Sequence, residues 1–211
     1  VDSRQAVAVL VAHPDDELLW PGGTLLSSPA WAPFVCTACR ASDQDRAPRF
    51  RNALRWLHAE GCMADLDDGP EQLPLADEAL EQALLRCLPR RNFQRILTHS
   101  PLGEYTRHRR HEEVARAVLR LWLTGTLSAA ELWLFAYDDD GGRRLPSALP
   151  SADIRHELPP AVWQEKYRAI TDCYGFAEAS WEARVTPKTE AFFRITTAPQ
   201  AAAWLQRKRT P

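Results

Sequence analysis

A run of seven apolar residues, Ala6-Val-Ala-Val-Leu-Val-Ala12, passes without a break into the polar cluster His13-Pro14-Asp15-Asp16-Glu17. The run is far shorter than the roughly 18 apolar residues of a membrane span. It is rich in Val and does not alternate with polar residues, so it reads as a strand buried on both faces. Such a strand belongs inside a parallel sheet covered by helices on both sides. The polar cluster then falls at the strand's C-terminal end, where open α/β sheets place their ligands.

The rest of the chain keeps the same alternation. Phe34–Cys39 reads as a strand, and Arg46–Glu60 as a helix with Phe50, Leu54 and Leu57 on one side and Gly61 just past its end. A strand over Cys62–Leu66 enters the turn Asp67-Asp68-Gly69-Pro70. Leu75–Leu88 is helical in spacing, with Leu80, Leu84, Leu85 and Leu88 in register. Next come a strand over Phe93–Thr98, a helix over His108–Leu123 with Val114, Val118 and Leu121 as core positions, and a strand over Glu131–Tyr137. The segment from about 139 to 160 reads as a loop decorating the active face, and Asp138-Asp139-Asp140 as a solvated acidic turn. A helix over Val162–Cys173, a strand over Ala191–Ile195 and a basic-ended helix over Ala201–Arg209 close the chain. The pattern predicts a three-layer, Rossmann-like α/β fold with a mainly parallel sheet, as one domain over 1–211.

Net charge is -2, from 26 basic and 28 acidic residues, which gives no electrostatic case for nucleic acid or an anionic membrane as partner. Val1–Gln5 shows neither the basic nor the apolar region of a signal peptide. The five cysteines are odd in number and scattered, which points to reduced thiols and a cytoplasmic location. Cys36-Thr-Ala-Cys39 has redox-motif spacing but lies in a predicted strand, where residues three apart face opposite ways, so packing is the expected role.

The chemistry lies in two segments about 95 residues apart. In the first, His13 supplies a nitrogen donor, and one of the neighbouring carboxylates, Asp15 and Asp16, can bind a metal while the other stays free as a base. In the second, His108 and His111 stand three apart at the start of a predicted helix and can face the same way. His13, Asp16 and one of these histidines make three protein ligands, leaving a fourth position for water, as in a catalytic zinc site. Ferrous iron suits the same donors. His99, after its strand, reads as a satisfied structural histidine, and His58 and His156 carry no assignment.

His13-Pro-Asp-Asp-Glu17, the Pro21-Gly-Gly-Thr-Leu25 stretch, Gly103-Glu104-Tyr105 and the His108/His111 pair together resemble the LmbE-like or PIG-L family of zinc-dependent N-deacetylases, in the right order over residues 6–125. The resemblance implies that His13, Asp16 and His111 bind zinc. It implies that Asp15 is the general base toward the activated water, and that His108 stabilises the oxyanion or donates a proton. It implies a small-molecule substrate, an N-acylated amino sugar or glycoconjugate, with Arg46 and Asp68 near the sugar contacts; Tyr105, three residues before His108, is a separate candidate because its hydroxyl can reach the reacting centre. Trp20, Trp133 and Trp163 are further candidates to line a sugar site.

One departure stands out. The family's His-Pro-Asp-His is here His108-Arg109-Arg110-His111, which keeps the ligand spacing and loses an acid that often steadies such a site. The two arginines either favour an anionic substrate or face solvent. Two alternatives remain to the amino-sugar reading: the same zinc chemistry on another N-acyl natural product, and a non-catalytic α/β ligand-binding domain. Against the last stands the lack of G-x-G-x-x-G after the first strand and of a P-loop.

Overall fold

In the computed structural model, which describes residues 4–106 and 108–207, the first strand (β1, Gln5–Val11) lies inside a seven-stranded sheet. Val7, Val9 and Val11 enter one apolar layer, Ala8 and Leu10 the other, and all are fully buried. The remaining strands are β2 (Trp31–Cys39), β3 (Glu60–Leu66), β4 (Phe93–Thr98), β5 (Ala129–Phe135), β6 (Tyr137–Asp138), β7 (Ser147–Ala148), β8 (Ile154–Glu157) and β9 (Thr189–Ile195). The large sheet has the order β3-β2-β1-β4-β5-β9-β8, and β6 and β7 form a separate small hairpin. All contacts from β3 through β5 are parallel, while β9 runs antiparallel to both β5 and β8. The chain leaves β1 toward β2 on one side and later returns to β4 on the other. The C-terminal ends of β1 and β4 therefore flank the topological switch point, the natural ligand crevice of an open parallel sheet.

Helices cover both faces, as the sequence predicts. One layer is built on α4 (Asp77–Cys87), α5 (Arg109–Leu123) and α8 (Ala198–Gln206), where Leu80, Leu84, Val114, Val118 and Leu121 are all buried. The opposite layer holds α1 (Asp16–Leu19), α2 (Gly22–Leu26), α3 (Arg46–Trp56), α6 (Pro160–Arg168) with the π-helical turn Ala169–Cys173 that continues it, and α7 (Trp181–Val185). The short helices α1, α2 and α7 have too few turns for a periodic signal. No helix among the described residues is long and apolar enough to cross a membrane.

Several boundaries differ from expectation. Helix α3 stops at Trp56, His58 takes the left-handed conformation (φ 49°), and Gly61 lies inside β3 instead of capping the helix. A Cβ at Gly61 would stand 2.7 Å from the Val35 carbonyl oxygen, so strand pairing, not helix termination, requires this glycine. The segment 139–160 contributes β7 to the small hairpin and β8 to the edge of the large sheet. Asp139 is buried, and Thr106 donates to it from both backbone and hydroxyl, so the acidic turn is not simply solvated. The last helix begins at Ala198 behind a Thr197–Gln200 capping box; its predicted end at Lys208 and Arg209 lies outside the described residues, as do Val1–Ser3 and Arg107.

The cysteine expectation is corrected. Cys62 on β3 and Cys87 on α4 form a disulfide, with Cα atoms 5.4 Å apart. Positions scattered in sequence meet because α4 packs back over the strand that precedes it, and the cysteine argument for a cytoplasmic location falls with the pairing. Cys36 and Cys39 are buried free thiols, and a register shift between Thr37 and Cys39 sends both into the same layer, not to opposite faces.

Lys166 and Glu190 form a fully buried ion pair, Nζ to Oε1 at 2.6 Å. The Glu190 carboxylate also accepts the Gly23 and Thr24 backbone N–H groups at 2.7 and 2.6 Å, joining the start of α2 to α6 and β9. Removing one partner of a buried pair strands the other charge. Lys166→Met is expected to lower the unfolding free energy by about 3–5 kcal/mol, read by denaturant titration.

Candidate functional site

The chain turns sharply after β1. Asp15 adopts φ 132°, a region that non-glycine residues enter at a cost of about 1–3 kcal/mol. Its N–H donates to Glu17 Oε2 at 3.0 Å, and its carbonyl accepts the Leu18 and Leu19 N–H groups at 3.0 and 2.8 Å. Glu17 is fully buried and also accepts the Tyr174 hydroxyl. Asp15 stands at the N-cap of α1, yet its side chain makes no cap. Instead its carboxylate meets Arg46 Nη1 at 3.0 Å and lines a cleft.

Asp16 is turned the other way. Its Oδ1 accepts Trp20 Nε1–H at 2.9 Å, and its Oδ2 accepts the His13 backbone N–H at 2.9 Å. That Oδ2 lies 3.3 Å from His13 Nδ1 and 3.5 Å from His111 Nε2, while the two ring nitrogens are 3.3 Å apart. Tetrahedral coordination with bonds of about 2.0–2.1 Å sets ligand atoms about 3.3–3.4 Å from each other. The donor triangle therefore fits an ion such as zinc. His108 adds a ring within 4.6 Å of both His13 and His111, and its buried Nδ1 has no hydrogen-bond partner among the described residues. The sequence-predicted residues His13, Asp15, Asp16, Arg46, Asp68, Tyr105, His108 and His111 thus all line one cleft of about 170 Å³.

Behind the donors stand two carboxylates. Glu104 Oε2 meets His111 Nδ1 at 2.7 Å, leaving Nε2 to face the triangle. Asp68 Oδ1 meets His13 Nε2 at 3.1 Å, while its Oδ2 accepts Arg40 Nε and Nη2 at 3.0 and 2.7 Å. Asp68, expected as a substrate contact, lines the cleft and also supports His13. Glu104 sits in the quoted motif but carries no sequence-derived role, because its contact with His111 is made only through folding. Burial pushes the Glu104 carboxyl up, but His99 and His111 overrule it and hold it down at about 2. His99, fully buried, receives the Ala12 N–H on Nε2 at 3.0 Å and has Nδ1 on Glu104 at 3.1 Å, which is the structural role expected of it.

The two adjacent aspartates are pushed apart. Burial raises both, and Asp16 adds to the rise at Asp15, whereas His111 and His99 outweigh burial at Asp16 and hold it well below the usual carboxylate range. His108 is pushed down to about 3, by burial first and then by the His111 and His13 rings. Cys39 also lies near His13 and Asp68, and burial drives its thiol up to about 12.

Other expectations are revised. Arg110 is fully buried and engaged by Asp67, Leu73 and Glu113, so it neither faces solvent nor reaches the cleft. Trp20 holds Asp16, Trp133 packs in an apolar layer, and Trp163 donates to the Thr186 carbonyl. The tryptophan that lines the cleft is Trp181, 36% exposed, with its ring edge-on to Tyr105 at 4.8 Å. Its position comes from the docking of α7 and has no local sequence signal.

No family model matches the chain. An uncharacterised protein of Acanthamoeba polyphaga mimivirus is 24% identical over 146 residues, covering 63% of this chain. The match spans 62% of that relative's length. Among solved structures, N,N'-diacetylchitobiose deacetylase from Pyrococcus horikoshii superposes with a TM-score of 0.68 at 14% identity, over 91% of this chain and 84% of that one. The conserved protein TT1542 from Thermus thermophilus gives 0.62 at 18% identity, over 90% and 94%. GalB, the 4-carboxy-2-hydroxymuconate hydratase from Pseudomonas putida, gives 0.61 at 15% identity, over 85% and 82%. These likenesses establish a shared fold.

If the donor triangle holds an ion, His13→Ala and His111→Ala will each remove it, as read by metal content per chain. Glu104→Gln is expected to weaken metal affinity by about 10–100-fold while the fold is kept.

Proposed function

We propose that this chain, which has the fold of the LmbE/PIG-L deacetylases, is a metal-dependent hydrolase that removes an N-acyl group, acetyl foremost, from an amino sugar or sugar-containing metabolite. The observation that carries the reading is the triangle of His13, Asp16 and His111 donor atoms, with Asp15 lining the same cleft. The fold alone does not carry it, since a hydratase shares that fold. The two-nitrogen, one-oxygen donor set suits zinc, with ferrous iron as the other candidate. Residues 1–211 are read as one deacetylase-like domain.

The ion, when bound, polarises the amide carbonyl and lowers the pKa of water to about 7. Asp15 takes a proton from the attacking water and passes it to the departing amine. Its raised pKa makes it a stronger base than an ordinary aspartate. Arg46 keeps the Asp15 carboxylate aimed at the cleft. His108, neutral at physiological pH, offers a ring N–H to the charge developing on the carbonyl oxygen. Tyr105 and Trp181 provide aromatic surface at the wall, suited to the apolar face of a sugar ring. The cleft is smaller than the 300–1,000 Å³ typical of drug-sized ligands, so it suits the acylamino end of a substrate whose remainder lies outside.

Zinc-loaded protein is expected to release acetate from at least one member of a panel of N-acetyl sugars, and to lose that activity on chelation. Asp15→Asn should retain its metal and lose about 10²–10⁴-fold in kcat. Silence across the panel with one zinc per chain would reject the deacetylase reading.

A further inference from the structure

Arg110 occupies a position between the two histidines of the α5 N-terminus and is 0% exposed. Its guanidinium reaches away from the cleft into the segment joining β3 to α4. Nε donates to the Asp67 carbonyl at 2.6 Å and Nη2 to the Leu73 carbonyl at 2.8 Å. Nη1 meets Glu113 one turn further on at 2.6 Å, and Glu113 in turn accepts the Leu75 N–H at 3.2 Å. A planar fork with five fixed donors suits such a spread of acceptors, and a lysine could not serve them all. Two of the acceptors are backbone carbonyls, so the clamp fixes the path of the 67–73 segment. The residue held at the start of that path is Asp68, whose Oδ1 lies 3.1 Å from His13 Nε2. The other charged support of Asp68, Arg40, has a side chain 41% exposed and is weakened by solvent screening.

We propose that Arg110 is a positioning residue for the metal site, acting through Asp68 on His13. This rests on the metal-dependent reading above. Helix α5 then governs both histidine ligands, His111 directly and His13 by way of the clamped segment. Asp68 is the acid that supports His13, and Arg110 holds its segment in place.

The test is a double-mutant cycle on zinc affinity, measured by chelator competition for the unaltered chain, Arg110→Met, Asp68→Asn and the double variant. Each single change is expected to weaken zinc binding by about 10–100-fold, and the double change little more than Asp68→Asn alone. Unaltered affinity in Arg110→Met, or losses that multiply in full, would overturn the proposal. Should Arg110→Met fail to fold, Arg110→Lys replaces it and is expected to fall between the two. A folded Arg110→Lys variant with the affinity of the unaltered chain likewise overturns the proposal. A second readout needs no metal: in metal-free protein the His13 Nε2 proton resonance, shifted downfield by Asp68, should move on Arg110 substitution as it does in Asp68→Asn. If the unaltered chain binds no zinc but the proton moves, the metal reading fails while the Arg110–Asp68–His13 linkage stands. If the proton stays, the linkage fails.

Discussion

Oδ2 of Asp16 is surrounded by nitrogen: the His13 backbone N–H at 2.9 Å and ring nitrogens of His13, His99 and His111 at 3.3, 3.3 and 3.5 Å. A carboxylate 3% exposed is tolerated only where donors replace its lost hydration. The N–H donors, from the His13 backbone and the Trp20 ring, come from the turn after β1, while the end of β4 and the first turn of α5 bring the rings of His99 and His111 beside it. Each must be correctly placed for the others to be worth burying. The parallel pairing of β1 with β4 supports this, since Ala12 N–H donates to His99 just beyond the paired strands. A sheet register and a helix start are thus fixed around one oxygen atom.

The supports form a layered order. Glu104 serves both His99 and His111, while Asp68 serves His13 alone and depends on a loop. The β4 side of the site is therefore held by buried groups within a short stretch of chain. The β1 side is held across a long one, and there the arginine of α5 enters. Asp15 shows a related division of labour. Glu17 and Tyr174 secure its unusual backbone, and Arg46 its side chain.

Much of this was legible from residue order. The apolar Val run locates β1, the spacing of Leu80 and Leu84 and of Val114 and Val118 locates α4 and α5, and the split His/Asp and His/His segments meet as their strand-end positions require. What stayed hidden depends on contacts far apart in the chain. Trp181 reaches the cleft because α7 docks there, Cys62 finds Cys87 because α4 folds back, and Arg110 looks like a surface residue until the 67–73 carbonyls are seen to surround it. Glu104 shows the limit of motif reading: the residue is noticed, while its work on two rings appears only in three dimensions.

The Cys62–Cys87 bond closes a covalent ring that contains the Asp68 loop and its exposed tip at Leu73, 64% exposed. Exposed loop tips are where proteases cut first. A single cut between the two cysteines would open the ring yet leave the molecule in one piece, with Asp68 tethered through Cys62 and α4 through Cys87. Nicked and intact forms would then share one mass under non-reducing electrophoresis and separate into two fragments once a thiol is added. The segment that carries Asp68 can thus be severed without being shed.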